Sequence, residues 1–325
     1  MPLPLFALML ATATPWPAPA QAELDRAVAA ARPGDYAVFD ADGTLWSSDI
    51  EEAGIAFFEQ RGWLSIDRLP PELRPIPVAA GESLYGYYRR LCDFDAKLCL
   101  PWSAQVFAGQ DLGLLKQRFD ALLAHRGGIP VRYLRDGKPI EERIEAPRIY
   151  AAQRALVAAL TAKGVAVYIV SASQEEVVRM VASDPRYGLA IPPERVIGTS
   201  MLLRDGTGAI STARRDIAQG LAAVPGYWSA RGALTPTTTL WSPSPWQEGK
   251  VAAILACIDP VRRPMLVAGD SGSDWAMLFH SGGVRLWMDH DTPTTARLRA
   301  TRTARGGEAA QRWIEVDRRA LGPVD

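Results

Sequence analysis

Three short apolar runs constrain the architecture of this chain more than any other feature. Residues 36–40 read YAVFD, residues 165–170 read VAVYIV and residues 264–269 read PMLVAG. Each has strand length and lacks the polar alternation of a half-exposed strand. Strands buried on both faces belong to parallel sheets wrapped by helices. The segments beside them agree. RALVAALTAKG (154–164) has a helical pattern that stops at Gly164, and SDWAMLFHSGG (273–283) has helical length with a glycine stop. VRLWM (284–288) and RWIEV (312–316) are candidates for further strands. The expected class is α/β, with a Rossmann-like core.

Functional groups in such sheets gather beyond the carboxyl ends of the strands. Asp40, Ser171 and Asp270 each stand at that end of a run, so three polar residues converge on one crevice. Asp42 follows Asp40 by two residues. Two carboxylates at a buried strand exit repel each other unless a cation lies between them. The plainer reading of DADGT (40–44) is an Asp-Gly turn.

From Ser47 to about Pro147 there are helical stretches (50–62, 82–92, 111–126), several proline turns and no convincing buried strand. A connection that long is an inserted domain, not a loop. The division read from the sequence is therefore a core of 23–46 and 148–325 with a mostly helical cap, 47–147, inserted between the first and second core strands. A second insertion, about 191–247, holds a candidate hairpin at MLLRDGTGAIST (201–212).

The 325 residues carry 36 Lys plus Arg and 36 Asp plus Glu. That balance argues against nucleic acid as a partner. Residues 1–22 are apolar at first and end on Ala20-Gln21-Ala22, the pattern of a secretory signal peptide cleaved after Ala22, although no Lys or Arg precedes the apolar run. The run is too short for a membrane anchor, and the expected location is periplasmic or secreted. Cys92 and Cys99 could not bridge within one unbroken helix, where seven steps would hold them on the order of 10 Å apart. A turn in DFDAK would let them pair, with Cys257 left free in an apolar helical run. His125, His280 and His290 are far apart and read as surface or helix-end residues.

Taken in order, DADGT (40–44), VSAS (170–173), Lys250 in QEGKVAAI and GDSGSD (269–274) resemble the haloacid dehalogenase superfamily, in its phosphate-monoester-hydrolysing branch. The resemblance implies Asp40 as nucleophile, forming an aspartyl-phosphate, and Asp42 as general acid and base. It further implies Ser171 and Lys250 on the phosphate, and Mg²⁺ held by Asp40, the Asp42 backbone carbonyl and Asp270. Thr44, Gly43, Gly269 and Asp274 would support this set. Taken singly, each residue also has an ordinary structural reading, Ser171 as a helix cap or Lys250 as a surface lysine.

The cap segment GESLYGYYRRLCDFDAKLCLPWSAQVFAG (81–109) resembles that of bacterial phosphorylcholine phosphatases, as do VRMVASDPRYG (178–188) and VIGTSMLL (196–203). Those enzymes use Mg²⁺, Zn²⁺ or Cu²⁺. The resemblance implies phosphocholine as substrate, its cation held by Glu52 or Glu51 with Tyr87 and Tyr88. A carboxylate beside aromatic faces suits a quaternary ammonium, which has charge but no hydrogen to donate. Arg89 departs from the pattern, standing where a third tyrosine is expected. Gly43 stands where relatives often carry Asn. The alternatives are a broader or phosphoserine-like monoesterase, and a non-catalytic choline-binding protein.

Overall fold

The computed structural model describes residues 16–135, 137–220, 227–241, 244–306 and 311–322. Helix α1 (Ala18–Ala30) precedes strand β1 (Tyr36–Phe39). The next hundred residues form α2 (Ile50–Gln60), α3 (Leu84–Phe94), α4 (Ala96–Gln105) and α5 (Leu112–Ala124), then strands β2 (Ile129–Arg135) and β3 (Lys138–Ile144). After them come α6 (Ala151–Ala162), β4 (Ala166–Gln174), α7 (Glu175–Ala182) and β5 (Val196–Thr199). Strands β6 (Met201–Arg204) and β7 (Ile210–Ser211) lead through α8 (Ala213–Ala218) and α9 (Tyr227–Arg231) to β8 (Thr235–Leu240). The chain closes with α10 (Glu248–Cys257), β9 (Leu266–Gly269), α11 (Trp275–His280), β10 (Val284–Asp289), α12 (Thr292–Arg305) and β11 (Arg312–Asp317).

The main sheet has six strands in the order β11-β10-β9-β1-β4-β5, paired in parallel throughout. Side chains alternate across β1. Ala37 and Phe39 pack with Leu24 of α1 and Leu156 of α6, while Tyr36 and Val38 pack with Ile254, Met277 and Leu298 of α10, α11 and α12. Both faces are thus covered, and all four β1 residues are buried. Because β9, β1 and β4 are adjacent, the residues that follow them lie side by side.

The chain leaves the sheet at Trp46 and returns at Ile149, and these two residues form a β-bridge. Ser47 N donates to the Arg148 carbonyl at 2.9 Å across the same junction. Between these points the segment is mostly helical, as expected, and it also holds a strand pair that the sequence reading did not find. Strands β2 and β3 pair as an antiparallel hairpin from Ile129↔Ile144 to Arg135↔Lys138. Strand β2 alternates buried Ile129, Val131 and Tyr133 with exposed neighbours, whereas β3 has no fully buried residue and so carries little apolar signal. The candidate hairpin of the second insertion is present as β6 and β7, and β8 adds a third strand to it.

Cys92 and Cys99 form a disulfide, with Cα atoms 4.8 Å apart. The turn it requires is at Asp95, whose extended backbone separates α3 from α4 and whose side chain accepts from Lys97 N. Cys257 is free but exposed, not packed as a small hydrophobe. Most of the expected signal peptide, residues 1–15, lies outside the described residues. Ala20 to Ala22 stand in α1, where Ala20 is buried.

Candidate active site

Beyond β1 the chain turns at Ala41, whose carbonyl accepts from Leu45 N at 2.8 Å. Gly43 takes a left-handed φ of +73°, and a Cβ there would stand 2.0 Å from Asp270 Oδ2. Only glycine lets this loop lie against the β9 end. Gly269 acts likewise, since a Cβ there would meet the Asp274 side chain at 2.5 Å.

Lys250 reaches the same place from the first turn of α10. Its buried Nζ donates to Asp40 Oδ1 and to Asp274 Oδ1, each at 2.6 Å. Asp274 spends its other oxygen on the backbone N–H groups of Asp270 (3.0 Å) and Ser271 (2.9 Å). Burial works against the ammonium, but the charges of Asp274 and Asp40 outweigh it and hold the Lys250 pKa above its ordinary value. Asp40 is pushed up to about 7 by burial and then by Asp274, with Lys250 opposing.

Asp42 is held by three donors. Trp46 Nε1 (2.6 Å) and the Ile50 backbone N–H (2.8 Å) share Oδ1, and Ser173 Oγ donates to Oδ2 at 2.6 Å. Burial raises its pKa, and these hydrogen bonds oppose the rise. Ser171 is buried at the end of the same β4 run, where its Oγ accepts from Ser173 N at 3.2 Å. Thr44 is fully buried, yet its hydroxyl has no partner among the described residues.

One oxygen each of Asp40, Asp270 and Asp274 lies within 4.8 Å of the others. Burial and then the neighbouring Asp274 and Asp40 charges drive the Asp270 pKa well up. Four carboxylates (Asp40, Asp42, Asp270, Asp274) face two cations here, Lys250 and Arg318. Negative charge is in excess. Oxygen donors in this excess suit a hard divalent cation, with Asp274 already committed to Lys250 and Asp40 and Asp270 left to ligate it.

The cavity above has a volume of about 620 Å³ and is lined by strand-end residues and by Asp49, Glu51, Glu52, Arg143 and Trp246. Of the predicted substrate residues, Glu51 is locked inward. Its Oε1 accepts from Gln174 N and its Oε2 meets Ser103 Oγ, both at 2.7 Å. Glu52 is engaged by Arg89, whose Nη1 lies 2.9 Å from Oε1, and by the Tyr85 hydroxyl at 2.7 Å. Tyr87 is fully buried and donates to the Ile76 carbonyl at 2.8 Å. Tyr88 is buried and stacks on Trp102 at 6.1 Å. Neither tyrosine is among the residues that line the cavity.

The model of the haloacid dehalogenase-like hydrolases matches residues 37–215, more than half of the chain. This chain belongs to that family. The hydrolase is 45% identical over 270 residues to the phosphorylcholine phosphatase of Pseudomonas aeruginosa, covering 80% of this chain and 76% of the relative. Among solved structures it resembles a conserved protein of unknown function from Anaerococcus prevotii, with TM-score 0.60 and 17% identity over 92% of each chain. It also resembles a Bordetella pertussis protein of unknown function, with TM-score 0.53 and 15% identity over 87% of this chain and 97% of that one.

Several site residues of this hydrolase escaped the sequence reading. Ser173, Trp46 and the Ile50 N–H hold Asp42 through contacts that leave no fixed spacing. His290 is half-buried, not peripheral, with Nδ1 3.5 Å from Asp270 Oδ2. Arg318 reaches Asp270 from the far end of the chain. The GK pair at 249–250 was legible through the order of the motifs in the family resemblance. The backbone before it was not: Gln247 has φ +53°, rare for a residue with a side chain, where the chain turns into α10.

Proposed function

We propose that this hydrolase cleaves phosphate monoesters through Asp40, with phosphocholine as its substrate. The observation that carries the chemistry is Lys250 shared between Asp40 and Asp274, beside an Asp42 held by three donors. Asp40 attacks phosphorus as the ester P–O bond breaks, and Asp42 gives its proton to the departing oxygen. The raised pKa of Asp42 suits a carboxyl that must carry that proton. Asp42 then takes a proton from water, the water oxygen bonds to phosphorus, and the phosphate–Asp40 bond breaks to restore the carboxylate. Lys250 and the Ser171 hydroxyl balance the phosphoryl charge. A divalent cation on Asp40, Asp270 and the Asp42 carbonyl would neutralise further charge. Mg²⁺ suits this all-oxygen set, with Zn²⁺ and Cu²⁺ as alternatives.

The choice of phosphocholine rests on the relative of that name and on the Glu52 carboxylate of the cap wall. Export is proposed as well, supported by the Cys92–Cys99 bridge. The Arg89–Glu52 pair favours a second reading, a broader monoesterase, because a guanidinium already holds the carboxylate that choline would need. Phosphate release from phosphocholine, phosphoethanolamine, phosphoserine and p-nitrophenyl phosphate decides between them. The highest kcat/KM should belong to phosphocholine. A flat profile would favour the broader enzyme, and no release from any ester with metal present would end the phosphatase reading.

A further inference from the structure

The cavity is also lined by Arg318, brought there by the edge of the sheet. Strand β11 pairs with β10 as far as Asp289↔Asp317, and the chain then turns through one 3₁₀ turn at Arg318–Ala320. The two arginines of this turn part company. Arg319 folds back onto Asp317, with Nε 2.8 Å from Oδ1 and 77% of its side chain exposed. Arg318 points the other way and lines the cavity with Lys250 and Ser171. Its Nη1 lies 3.1 Å from Asp270 Oδ2 and 3.5 Å from the Gly43 carbonyl. A Cβ at position 43 would come within 2.6 Å of that Nη1, so the glycine leaves room for the guanidinium as well as for Asp270.

Arg318 and Lys250 are not equivalent. Lys250 is fully buried and both of its carboxylate contacts are short. Arg318 makes both of its contacts through one nitrogen, and its Nε and Nη2 have no hydrogen bond among the described residues. A guanidinium presents its donors in a planar fork that fits two oxygens of a phosphate. A phosphoryl dianion has more terminal oxygens than Lys250 and Ser171 can serve.

We propose that Arg318 is a phosphate-binding residue that shares Asp270 with the divalent-cation site. In the metal-free protein it balances Asp270. A cation on that carboxylate would leave the guanidinium free to fork onto the terminal oxygens of the phosphoryl group. This rests on the phosphatase reading above.

The test uses the full chain and two titrations, Mg²⁺ into metal-free protein and inorganic phosphate into Mg²⁺-loaded protein. Arg318→Gln should weaken phosphate binding by about tenfold or more. It should leave Mg²⁺ affinity unchanged or strengthen it, because Asp270 loses a competitor. Arg318→Lys keeps the charge without the fork and should fall between, and it carries the test if the glutamine variant does not fold. Phosphate affinity within twofold of wild type in both variants would overturn the proposal. So would a parallel loss of Mg²⁺ affinity, which would make Arg318 a prop for Asp270. A wild-type protein that takes up Mg²⁺ but neither binds phosphate nor releases it from any ester would remove the phosphatase reading itself, and this proposal with it.

Discussion

On the floor of the cavity Lys250 is buried between Asp40 and Asp274, and Asp42 has a donor on each oxygen. On the cap wall Arg89 and Glu52 meet at 2.9 Å with 27% and 23% of their side chains exposed. The floor charges are taken out of water, so each is fixed by partners from distant parts of the chain, and removing one strands the others. The wall pair keeps about a quarter of each side chain exposed, so solvent screens it in part and a ligand can compete for it. On the proposed function, chemistry is built into the sheet, while selectivity is left to contacts that a ligand can rearrange.

Breaking the floor should have the largest effect. Asp40→Asn removes the nucleophile and is expected to cut phosphate release on the order of 10³-fold or more for every ester. Chelation of wild type should do the same, reversibly on adding Mg²⁺. Substantial turnover in either case would show that the floor is not where the reaction occurs.

Glu51 joins the two regions and titrates, which gives the next test. Its carboxyl links α2 to Ser103 of α4 and to the backbone of β4. Ser103 Oγ lies 2.7 Å from Glu51 and 2.8 Å from the Leu100 carbonyl, two acceptors for one hydroxyl proton. A protonated Glu51 resolves this by donating to Ser103. Burial agrees, pushing the Glu51 pKa from 4.5 up to about 8. The folded state thus holds a proton that the unfolded chain releases. Its stabilisation is complete below about pH 4.5 and is lost as the pH rises through 8. Glu51→Gln, neutral at every pH, should melt near wild type at pH 5 and higher than wild type at pH 8.5, by a few kcal/mol at most. Parallel melting curves across that range would show Glu51 ionised.

The Cys92–Cys99 bridge ties α3 to α4 and so belongs to the wall alone. It should contribute roughly 2–3 kcal/mol by chain entropy. Denatured, unreduced protein should show one free thiol per chain, from Cys257. Reduction should lower the melting temperature and change selectivity among esters more than turnover of p-nitrophenyl phosphate. An equal loss on all esters would mean that the wall supports the floor.

The same contrast explains what the sequence made legible. The floor could be read because a parallel sheet aligns its strand ends, so the positions of Asp40, Ser171 and Asp270 after apolar runs imply their meeting. Lys250 and Asp274 came from the family resemblance of the ordered motifs and not from the strand pattern. The wall could not be read in this way. Tyr87 and Tyr88 follow a helical period that serves packing on Trp102 as well as it serves a ligand, and the structure uses it for packing. Strand β3 offers only Ile140 and Ile144, both partly buried, as apolar signal, and no spacing rule links Arg89 to Glu52 across 37 residues. Arg318 lies still farther from its partner.

The finest test of the comparison is the wall pair itself. Glu52 Oε1 accepts from both Arg89 and Tyr85, so a choline cation approaching it must compete with a guanidinium. Arg89→Gln removes the competing charge and keeps a polar side chain of similar reach. If the pair gates the substrate, kcat/KM for phosphocholine should rise several-fold, about 1 kcal/mol, while p-nitrophenyl phosphate, which has no cation, should be unchanged. Free choline should compete better in the variant for the same reason. A fall in phosphocholine turnover would reverse the assignment, making Arg89 the residue that orients Glu52 for the ligand. Equal changes on both esters would place the pair outside selectivity altogether, and the cap wall would then be a scaffold as rigid in its function as the floor.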